Sequence, residues 1–337
     1  MPHDVWINRQ GAAPGICSRP SPLLPRPSPL SPRPAYSRPM PAARTFTSLA
    51  PVDLRQSIGG YSAGGADPSI ALDPESAWLA LRTSAGPATL HFTGGATITA
   101  EAWGPGADLA LERAPDICGA TDDPAGFASS HPVVTRMLRR YPGVRITRSA
   151  AVVEALLRMV TGQRVTGTEA RNGYFRMCSA LGGPAPGPRR LTLPPDPVLV
   201  AASGYTAFHP WGIERGRAET LIRVAQRAKR MEEAAGMSFA DAYARITAVR
   251  GVGAWTAGKV GLTALGDPDA VPVGDYHLPN TVAWALAGED RADDARMLEL
   301  LEEFRPHRGR VLRLIGAAAV VAPRYGPRSP VRDFGGM

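Results

Sequence analysis

Two glycines form the turn in the sequence that is best suited to binding a ligand. Gly251 and Gly253 lie in the run Arg250-Gly251-Val252-Gly253, between two segments of helical periodicity. Glycine allows positive φ and a close approach of the backbone to a ligand, and the following helix offers unpaired amides and the positive end of its dipole. A phosphate group fits this geometry. The alternative is an ordinary glycine-containing turn between packed helices.

Asp275 is the candidate catalytic carboxylate. It lies in segment 271–280 (VPVGDYHLPN), directly before a predicted helix. A carboxylate in this place commonly caps the helix, and such a cap contributes about 1 kcal/mol. The same carboxylate can also face a cleft shared with the glycine turn. The spacing alone favours the cap and leaves the cleft open as an alternative.

The sequence around these residues resembles a known family. Three segments carry the resemblance: Gly251-x-Gly253-x-Trp255-Thr256-Ala257 with Gly274-Asp275-Tyr276, 160–165 (VTGQRV) and 216–220 (GRAET). They are similar to the helix-hairpin-helix superfamily of DNA base-excision glycosylases, and within it to the 3-methyladenine DNA glycosylase II family. The resemblance covers residues from about 50 to 320.

This resemblance implies the excision of alkylated purines of the 3-methyladenine type from damaged double-stranded DNA. Such an enzyme flips the nucleotide out of the duplex and hydrolyses its N-glycosidic bond, which leaves an abasic site. Asp275 would be the catalytic residue, because positive charge develops on the sugar during cleavage. N-alkylated purines already carry positive charge, so their departure needs little acid assistance and one carboxylate suffices, unlike in ordinary glycoside hydrolysis.

The residue type at position 255 distinguishes glycosylases that also cleave the strand from those that do not. Relatives similar to endonuclease III place a lysine there, as a Schiff-base nucleophile that also nicks the strand. Trp255 therefore predicts a monofunctional glycosylase without lyase activity. Lys259, one helical turn further on, is off the motif and is expected to be solvated. Trp255 and Tyr276 are candidate walls of the base pocket, since aromatic rings stack on cationic bases; core packing is the alternative.

Further residues are candidates for contact with DNA. The resemblance puts Gln163 and Arg164 at the DNA-facing end of a helix, where Arg164 would fill the gap left by the flipped nucleotide. A solvated surface arginine is the alternative. The predicted DNA-binding set is Arg250, Gly251, Val252, Gly253, Thr256, Gln163 and Arg164. Residues 131–150 hold five arginines and no acid. This basic strip either follows phosphates or is a solvated helix face.

Three histidines lie at distinctive positions. His307 stands where the family has an aromatic residue close to the active site, and His209 and His277 lie near the predicted motif segments. A lone histidine is more often structural than catalytic. The six histidines show no spacing with Cys or acidic residues that would hold zinc, so no metal site is predicted. The resemblance implies no organic cofactor, and it leaves open an alkali ion held by hairpin carbonyls.

Composition narrows the class of protein. The 337 residues carry a formal net charge of +8, but residues 1–44 alone carry +5, so the overall charge is weak support for DNA binding. The chain has three cysteines, Cys17, Cys118 and Cys178, too few for a disulfide framework or an iron–sulfur cluster. No apolar run reaches the roughly 18 residues that cross a bilayer. We therefore expect a soluble, cytoplasmic protein, and the resemblance implies a nucleoid-associated monomer.

The periodicity predicts a sheet followed by helices. Residues 45–112 alternate with period two, with strands at 78–81, 88–92 and 96–100, a hairpin at Gly94-Gly95 and a covering helix at 131–140. The later helices are predicted near 149–161, 166–181, 216–232, 238–248, 255–265, 276–287, 293–304 and 308–321. Thr166 with Glu169, and Ser238 with Asp241, have capping-box spacing.

The predicted fold class is α+β. A small N-terminal antiparallel sheet domain, TATA-binding-protein-like by the resemblance, spans 45–140, and an all-helical domain with the helix-hairpin-helix spans 141–322. Residues 323–337 are predicted to be a flexible tail. Residues 1–44 contain eleven prolines and are predicted to be disordered. A polyproline ligand, a DNA-binding arm, or a start at Met40 are the alternatives for this tail.

Two other functions remain open. One is a glycosylase for another lesion, such as hypoxanthine or uracil. The other is a non-catalytic module that binds damaged DNA. Asp275 argues against the module, because phosphate binding alone has no use for an anion in the cleft.

Overall fold

An antiparallel sheet of five strands begins the fold, which is described for residues 41–62 and 64–323 in a computed structural model. In order across the sheet, the strands are β1 (Ala42–Thr47), β5 (Thr97–Trp103), β4 (Gly86–Gly94), β3 (Ser76–Thr83) and β2 (Ile70–Leu72). The α+β class is therefore confirmed. The three predicted strands form, and each is longer than its predicted range.

One face of the sheet is apolar because its residues alternate. Ala88, Leu90 and Phe92 of β4 are fully buried, with Ile98 and Ala100 of β5 beside them. The β4–β5 turn follows the prediction at Gly94-Gly95. Gly94 has a φ of 100°, and a Cβ at this position would lie 2.1 Å from the carbonyl oxygen of Thr97. Only glycine fits there.

The helix that covers this face is α2 (Ala107–Cys118), and the prediction of a covering helix at 131–140 is wrong. The buried residues of α2 pack in the same cluster as β4 and β5. A helix does form at α3 (Pro132–Arg140), but Val134 and Met137 pack with Val311 and Leu314 near the chain's C-terminal end. The prediction fails because the start of α2 lies within residues 45–112, which are predicted to have a period of two.

The predicted boundary of the N-terminal tail also needs correction. Strand β1 begins at Ala42 and pairs with β5 from Ala42 opposite Ala102 to Thr47 opposite Thr97. Residues 42–44 are thus part of the sheet rather than of a tail. The rest of that tail, with Cys17, and the predicted tail beyond residue 323 lie outside the described residues.

Thirteen α-helices lie in the described chain, joined by loops and short 3-10 segments. They are α1 (Leu54–Ile58), α4 (Val152–Thr161), α5 (Gly167–Leu181), α6 (Pro197–Ala202), α7 (Arg215–Gln226), α8 (Ala228–Glu232), α9 (Phe239–Thr247), α10 (Ala254–Val260), α11 (Leu278–Ala287), α12 (Asp294–Leu301) and α13 (Arg308–Ala317), with α2 and α3. The helix predicted at 216–232 is two helices that meet at Arg227, and α6 was not predicted. The last part of the predicted helix 255–265 is a π-helical turn, Gly261–Leu265.

The two predicted caps differ in detail. Thr166 and Glu169 form a complete capping box at the start of α5, with both reciprocal hydrogen bonds present. At α9, the Ser238 hydroxyl accepts from the Asp241 amide and donates to its carboxylate at 2.6 Å. Both helices therefore begin where the sequence predicts.

A large apolar core lies between α4 and α7 and extends to the hairpin. Leu156 and Val160 of α4 meet Leu221 and Val224 of α7, all fully buried, and Val252 of the glycine turn joins the same cluster. The turn is thus anchored to the core of the helices. None of the helices in the described ranges is long and apolar enough to cross a bilayer.

Candidate active site and nucleic-acid interface

The glycine turn joins α9 to α10, as predicted. Gly251 has a φ of 97°, and a Cβ at this position would lie 2.2 Å from Oγ1 of Thr220. Gly253 differs, because its φ is −105° and no atom lies within 4 Å of where its Cβ would be. Gly251 is therefore required by the backbone and by packing, whereas Gly253 keeps the outer side of the turn open to a ligand.

Segment 216–220, which carries part of the family resemblance, supports this turn from beneath. Thr220 lies under Gly251, and Nη1 of Arg223, one turn further on, donates to the carbonyl of Arg250 at 3.1 Å. Buried Arg217 donates to the carbonyl of Thr161 at 2.7 Å, at the end of α4. The start of α7 therefore fixes both the hairpin and the end of α4.

Gln163 connects the end of α4 to the hairpin. Its Nε2 donates to the carbonyl of Gly251 and to Oγ1 of Thr256, both at 2.9 Å. Thr256 is buried, as is Val252, whose amide donates to the carbonyl of Val249. Three of the predicted DNA-binding residues, Gln163, Val252 and Thr256, thus have contacts that hold the hairpin in shape. The assignment of these three residues to DNA contact stays a prediction.

The hairpin carbonyls of Arg250 and Gly251 each accept a hydrogen bond, from Arg223 and Gln163 respectively. The alkali ion at the hairpin carbonyls, which the resemblance leaves open, stays a prediction. In the part of the chain that the structure describes, no group of three or more His, Cys, Asp or Glu side chains is placed to hold a metal ion.

Asp275 caps α11 and also faces the hairpin helix. Its Oδ1 accepts from the backbone amides of His277 and Leu278, each at 3.0 Å. Its Oδ2 accepts from the indole Nε1 of Trp255 at 2.8 Å and lies 3.4 Å from Nζ of Lys259. The side chain is 18% exposed. The two interpretations of this residue are therefore compatible, since one oxygen caps the helix and the other faces α10.

These contacts keep the carboxylate of Asp275 ionised. Burial alone would raise its pKa. The charge of Lys259, the indole N–H of Trp255 and the two amides outweigh that effect, so the pKa of Asp275 lies below its ordinary value. At neutral pH the site therefore presents a negative charge that the surrounding donors hold in one orientation.

The expectation that Lys259 is merely solvated is wrong. Its side chain is 33% exposed, its Nζ pairs with Asp275, and it lies 5.9 Å from the centre of the Trp255 ring. Residues four apart lie on the same face of a helix, which brings Trp255 and Lys259 of α10 to the same carboxylate. The spacing of Trp255 and Lys259 indicates that they share one face of a helix. It does not indicate that Asp275 lies beside that face.

Trp255 and Tyr276 occupy different environments. Trp255 is half-buried, and its ring reaches Gly162 at the end of α4, where a Cβ would lie 3.6 Å from it. Tyr276 is 87% exposed and contacts the ring of His277 edge to face. Core packing is therefore excluded for Tyr276, which stands at the surface beside Asp275. Trp255 combines packing against α4 with its hydrogen bond to Asp275.

Arg164 adopts an unusual backbone conformation. It is exposed, directly follows the end of α4, and has a φ of 56°, in the left-handed region that favours glycine. Such a conformation costs of order 1–3 kcal/mol and is commonly found at functional sites. The strain is consistent with a side chain that is presented outward for contact.

The basic strip at 131–150 is only partly available. The buried guanidinium of Arg145 donates to the carbonyls of Pro51 and Val144, and Arg148 donates to that of Ala235. Arg145 is structural, and the idea that the whole strip follows phosphates is wrong for this residue. The other four arginines are exposed, Arg136, Arg139 and Arg140 along α3 and Arg148 beyond it.

His307 and His209 occupy different environments. His307 contacts the ring of Phe127 and lines a cavity of about 380 Å³ whose lining includes neither Asp275 nor Trp255. Burial and the nearby charge of Arg310 lower its pKa. His307 therefore lies against the ring of Phe127, and its position near the active site stays a prediction. His209 is exposed in the 3-10 segment Tyr205–Trp211.

Known DNA glycosylases share this arrangement of sheet, helices and hairpin. The 3-methyladenine DNA glycosylase of Archaeoglobus fulgidus matches with a TM-score of 0.68, over 81% of this chain and 97% of that one, at 15% identity. The 8-oxoguanine glycosylase/lyase of Clostridium acetobutylicum, in complex with double-stranded DNA, matches with a TM-score of 0.63 over 82% and 97%, at 12% identity. The chain has the helix-hairpin-helix DNA glycosylase fold.

Sequence similarity leads to the same group of repair proteins. The probable bifunctional transcriptional activator/DNA repair enzyme AlkA of Mycobacterium tuberculosis is 29% identical over 149 residues, which are 44% of this chain. The chain spans 30% of the length of the curated relatives it matches. No protein-family model matches. The predicted resemblance to helix-hairpin-helix glycosylases is confirmed, while the TATA-binding-protein-like sheet and the domain boundary at 140 stay predictions.

Within the helix-hairpin-helix fold, the residues near the hairpin divide into two groups. Gln163, Thr256 and Val252 shape the turn from inside. Arg164 and Tyr276 are exposed. The first group therefore supports the turn, and the second is accessible from solvent.

Proposed function

We propose that this chain is a monofunctional DNA N-glycosylase of base excision repair. Its substrates would be alkylated purines of the 3-methyladenine type in double-stranded DNA, and its product an abasic site. The observation that carries this proposal is Asp275, an ionised and partly exposed carboxylate held between the hairpin helix and an exposed aromatic ring.

Asp275 would act on the sugar of the flipped nucleotide. Its negative charge stabilises the positive charge that develops at C1′ as the bond to the base breaks. Oδ2 accepts only one hydrogen bond, so its second lone pair can accept a proton from the attacking water. The three N–H groups that hydrogen-bond to the carboxylate fix its direction, so little reorganisation is needed during the reaction. An alkylated purine leaves as a neutral base and needs no acid.

The damaged base would stack on aromatic rings. Tyr276 offers an exposed face beside Asp275, and a cationic base is attracted to an electron-rich ring by up to about 2 kcal/mol when the contact is desolvated. Trp255 would close the inner side of this pocket. The edge of its indole is engaged with Asp275, whereas its faces are available for stacking.

Contacts with the DNA backbone would come from the hairpin and the end of α4. The open outer side of Gly253 supports a close approach of phosphate, and the exposed side chain of Arg250 adds positive charge. Arg164 would enter the space left by the flipped nucleotide, where a guanidinium can stack and donate hydrogen bonds to the orphaned base.

The proposal of hydrolysis without strand cleavage is supported by residue 255. A tryptophan has no amine that could attack C1′, and the Lys259 ammonium is paired with Asp275. Alkylated purines leave without taking a proton from Lys259, so this group stays an ammonium, which is not a nucleophile. The product is therefore expected to be an intact strand with an abasic site.

A single experiment separates the competing functions. A duplex that carries one 7-methylguanine is incubated with the protein and analysed with and without alkali, beside the same duplex without a lesion. We expect release of the base, strand breaks only after alkali, and no covalent adduct on treatment with borohydride. Breaks without alkali, together with an adduct, would indicate a lyase. Tight binding without release would indicate a module that binds damaged DNA.

A further inference from the structure

We propose that Lys259 is a second catalytic residue, which donates a proton to purine bases that are neutral before they leave. A neutral purine such as hypoxanthine would otherwise have to leave as an anion. The inference rests on the proposed glycosylase function, because it uses the same carboxylate and the same pocket.

The position of Lys259 carries the inference. Its Nζ lies 3.4 Å from Oδ2 of Asp275, and both side chains are partly exposed, by 33% and 18%. Among the residues that the structure describes, Asp275 is the only acidic partner of this ammonium. An ammonium has three N–H donors, and one partner leaves the others available to a ligand. A base that stacks beside Asp275 therefore lies within reach of Lys259.

The charge of the Lys259 ammonium disfavours the binding of a cationic base. Positive charge on the base is attracted to Asp275 and to the face of the Trp255 ring, and Lys259 opposes both attractions. Like charges brought together in a binding site are disfavoured. The same ammonium favours a neutral base, since it can donate a hydrogen bond to a ring nitrogen or a carbonyl oxygen.

The proposed step is balanced in protons and electrons. The bond between C1′ and N9 breaks, and its electron pair goes to the base. Lys259 transfers one proton to the base, which leaves as a neutral molecule, and Lys259 becomes a neutral amine. Water adds to C1′ and gives its proton to Asp275. The proton then passes from Asp275 to Lys259 across their contact, which restores the carboxylate and the ammonium.

The release of cationic bases would not include the proton transfer from Lys259. They leave as neutral molecules without a proton from Lys259, and the proton that Asp275 accepts from water returns to solvent. Removal of the ammonium is therefore expected to have opposite effects on the two classes of lesion. A merely structural role of Lys259 would affect both classes in the same direction.

The test measures single-turnover base release from two duplexes of one sequence, which carry hypoxanthine or 7-methylguanine. For Lys259→Met we expect hypoxanthine release to fall about 100-fold or more, the size typical of a lost general acid. We expect 7-methylguanine release to rise several-fold, up to about tenfold, because a repulsive charge is gone. Lys259→Arg keeps the charge but cannot give up a proton, so hypoxanthine release should fall without a rise for 7-methylguanine.

The other lysine of the chain provides a matched control. Lys229 is exposed on α8, and Lys229→Met should leave both rates unchanged. A parallel fall of both rates in Lys259→Met, or unchanged hypoxanthine release, would overturn the inference. Wild-type protein that releases 7-methylguanine but no hypoxanthine would overturn it and leave the proposed function intact. Release of neither base would overturn both.

Discussion

Two groups of charged side chains in this molecule pair carboxylates with a cation, and they differ in their access to solvent. In the first, Arg158 of α4 pairs with Asp67 and Glu154, and the side chains of Arg158 and Asp67 are 6% and 1% exposed. In the second, Lys259 and Asp275 are 33% and 18% exposed. The first group joins the start of β2 to α4, whereas the second lies beside the hairpin.

The same interactions have opposite consequences in the two groups. Burial raises the pKa of Glu154 to about 7, although Arg158 lowers it. At Asp275, the neighbouring donors outweigh burial and the pKa falls. A carboxylate that is ionised and partly open can act on a ligand, while a buried cluster holds the chain together. Solvent access thus distinguishes a structural ion pair from a chemical one.

The largest difference between the two groups should appear in stability. Arg158→Met leaves Asp67 buried without its cation, and breaking a buried pair in this way costs about 3–5 kcal/mol. Lys259→Met should cost about 1 kcal/mol or less, since its pair is partly exposed. Denaturant unfolding of both variants beside the wild type measures this contrast. Equal losses of unfolding free energy in the two variants would contradict the distinction between a buried and a partly exposed pair.

Glu154→Gln should change how stability depends on pH. The pKa of Glu154 in the folded state, about 7, lies above its ordinary value of 4.5, so the folded state binds the proton more tightly. This contribution is present at low pH and is lost as the pH rises through 7. The variant should therefore lose less stability than the wild type between pH 5 and about pH 8, by about 2 kcal/mol. If the unfolding free energies of the wild type and the variant changed in parallel with pH, the raised pKa of Glu154 would be contradicted.

A smaller effect is expected from Trp255→Phe, which removes one donor to Asp275. The pKa of Asp275 should rise towards its ordinary value, so that activity is lost at a higher pH as the solution is acidified. At neutral pH the rate should fall by less than about tenfold. The pH profile of single-turnover release tests this, with Trp284→Phe on α11 as a control. If activity were lost at the same acidic pH in the variant and the wild type, the indole would not influence the pKa of Asp275.

Local patterns predicted much of the site. The glycine turn, the aspartate before α11 and the cap at Thr166 depend on neighbours within a few residues, and these features form where the sequence indicates them. Lys259 is predicted to be solvated but pairs with Asp275. This partner lies sixteen residues away, beyond a loop, so local spacing does not reveal it. The same limit applies to Arg145, whose acceptor at Pro51 is set by tertiary packing. Interactions of this kind become visible only when the chain is folded.

The role of Asp275 is tested most directly by the Asp275→Asn variant. Asparagine also caps helices well, so the protein should fold normally and bind a duplex that carries 7-methylguanine with wild-type affinity. We expect its single-turnover release of 7-methylguanine to fall by about 10³-fold or more, because the charge that stabilises the sugar cation is gone. Release within about threefold of the wild-type rate, at equal binding, would contradict the assignment of Asp275 as the catalytic residue.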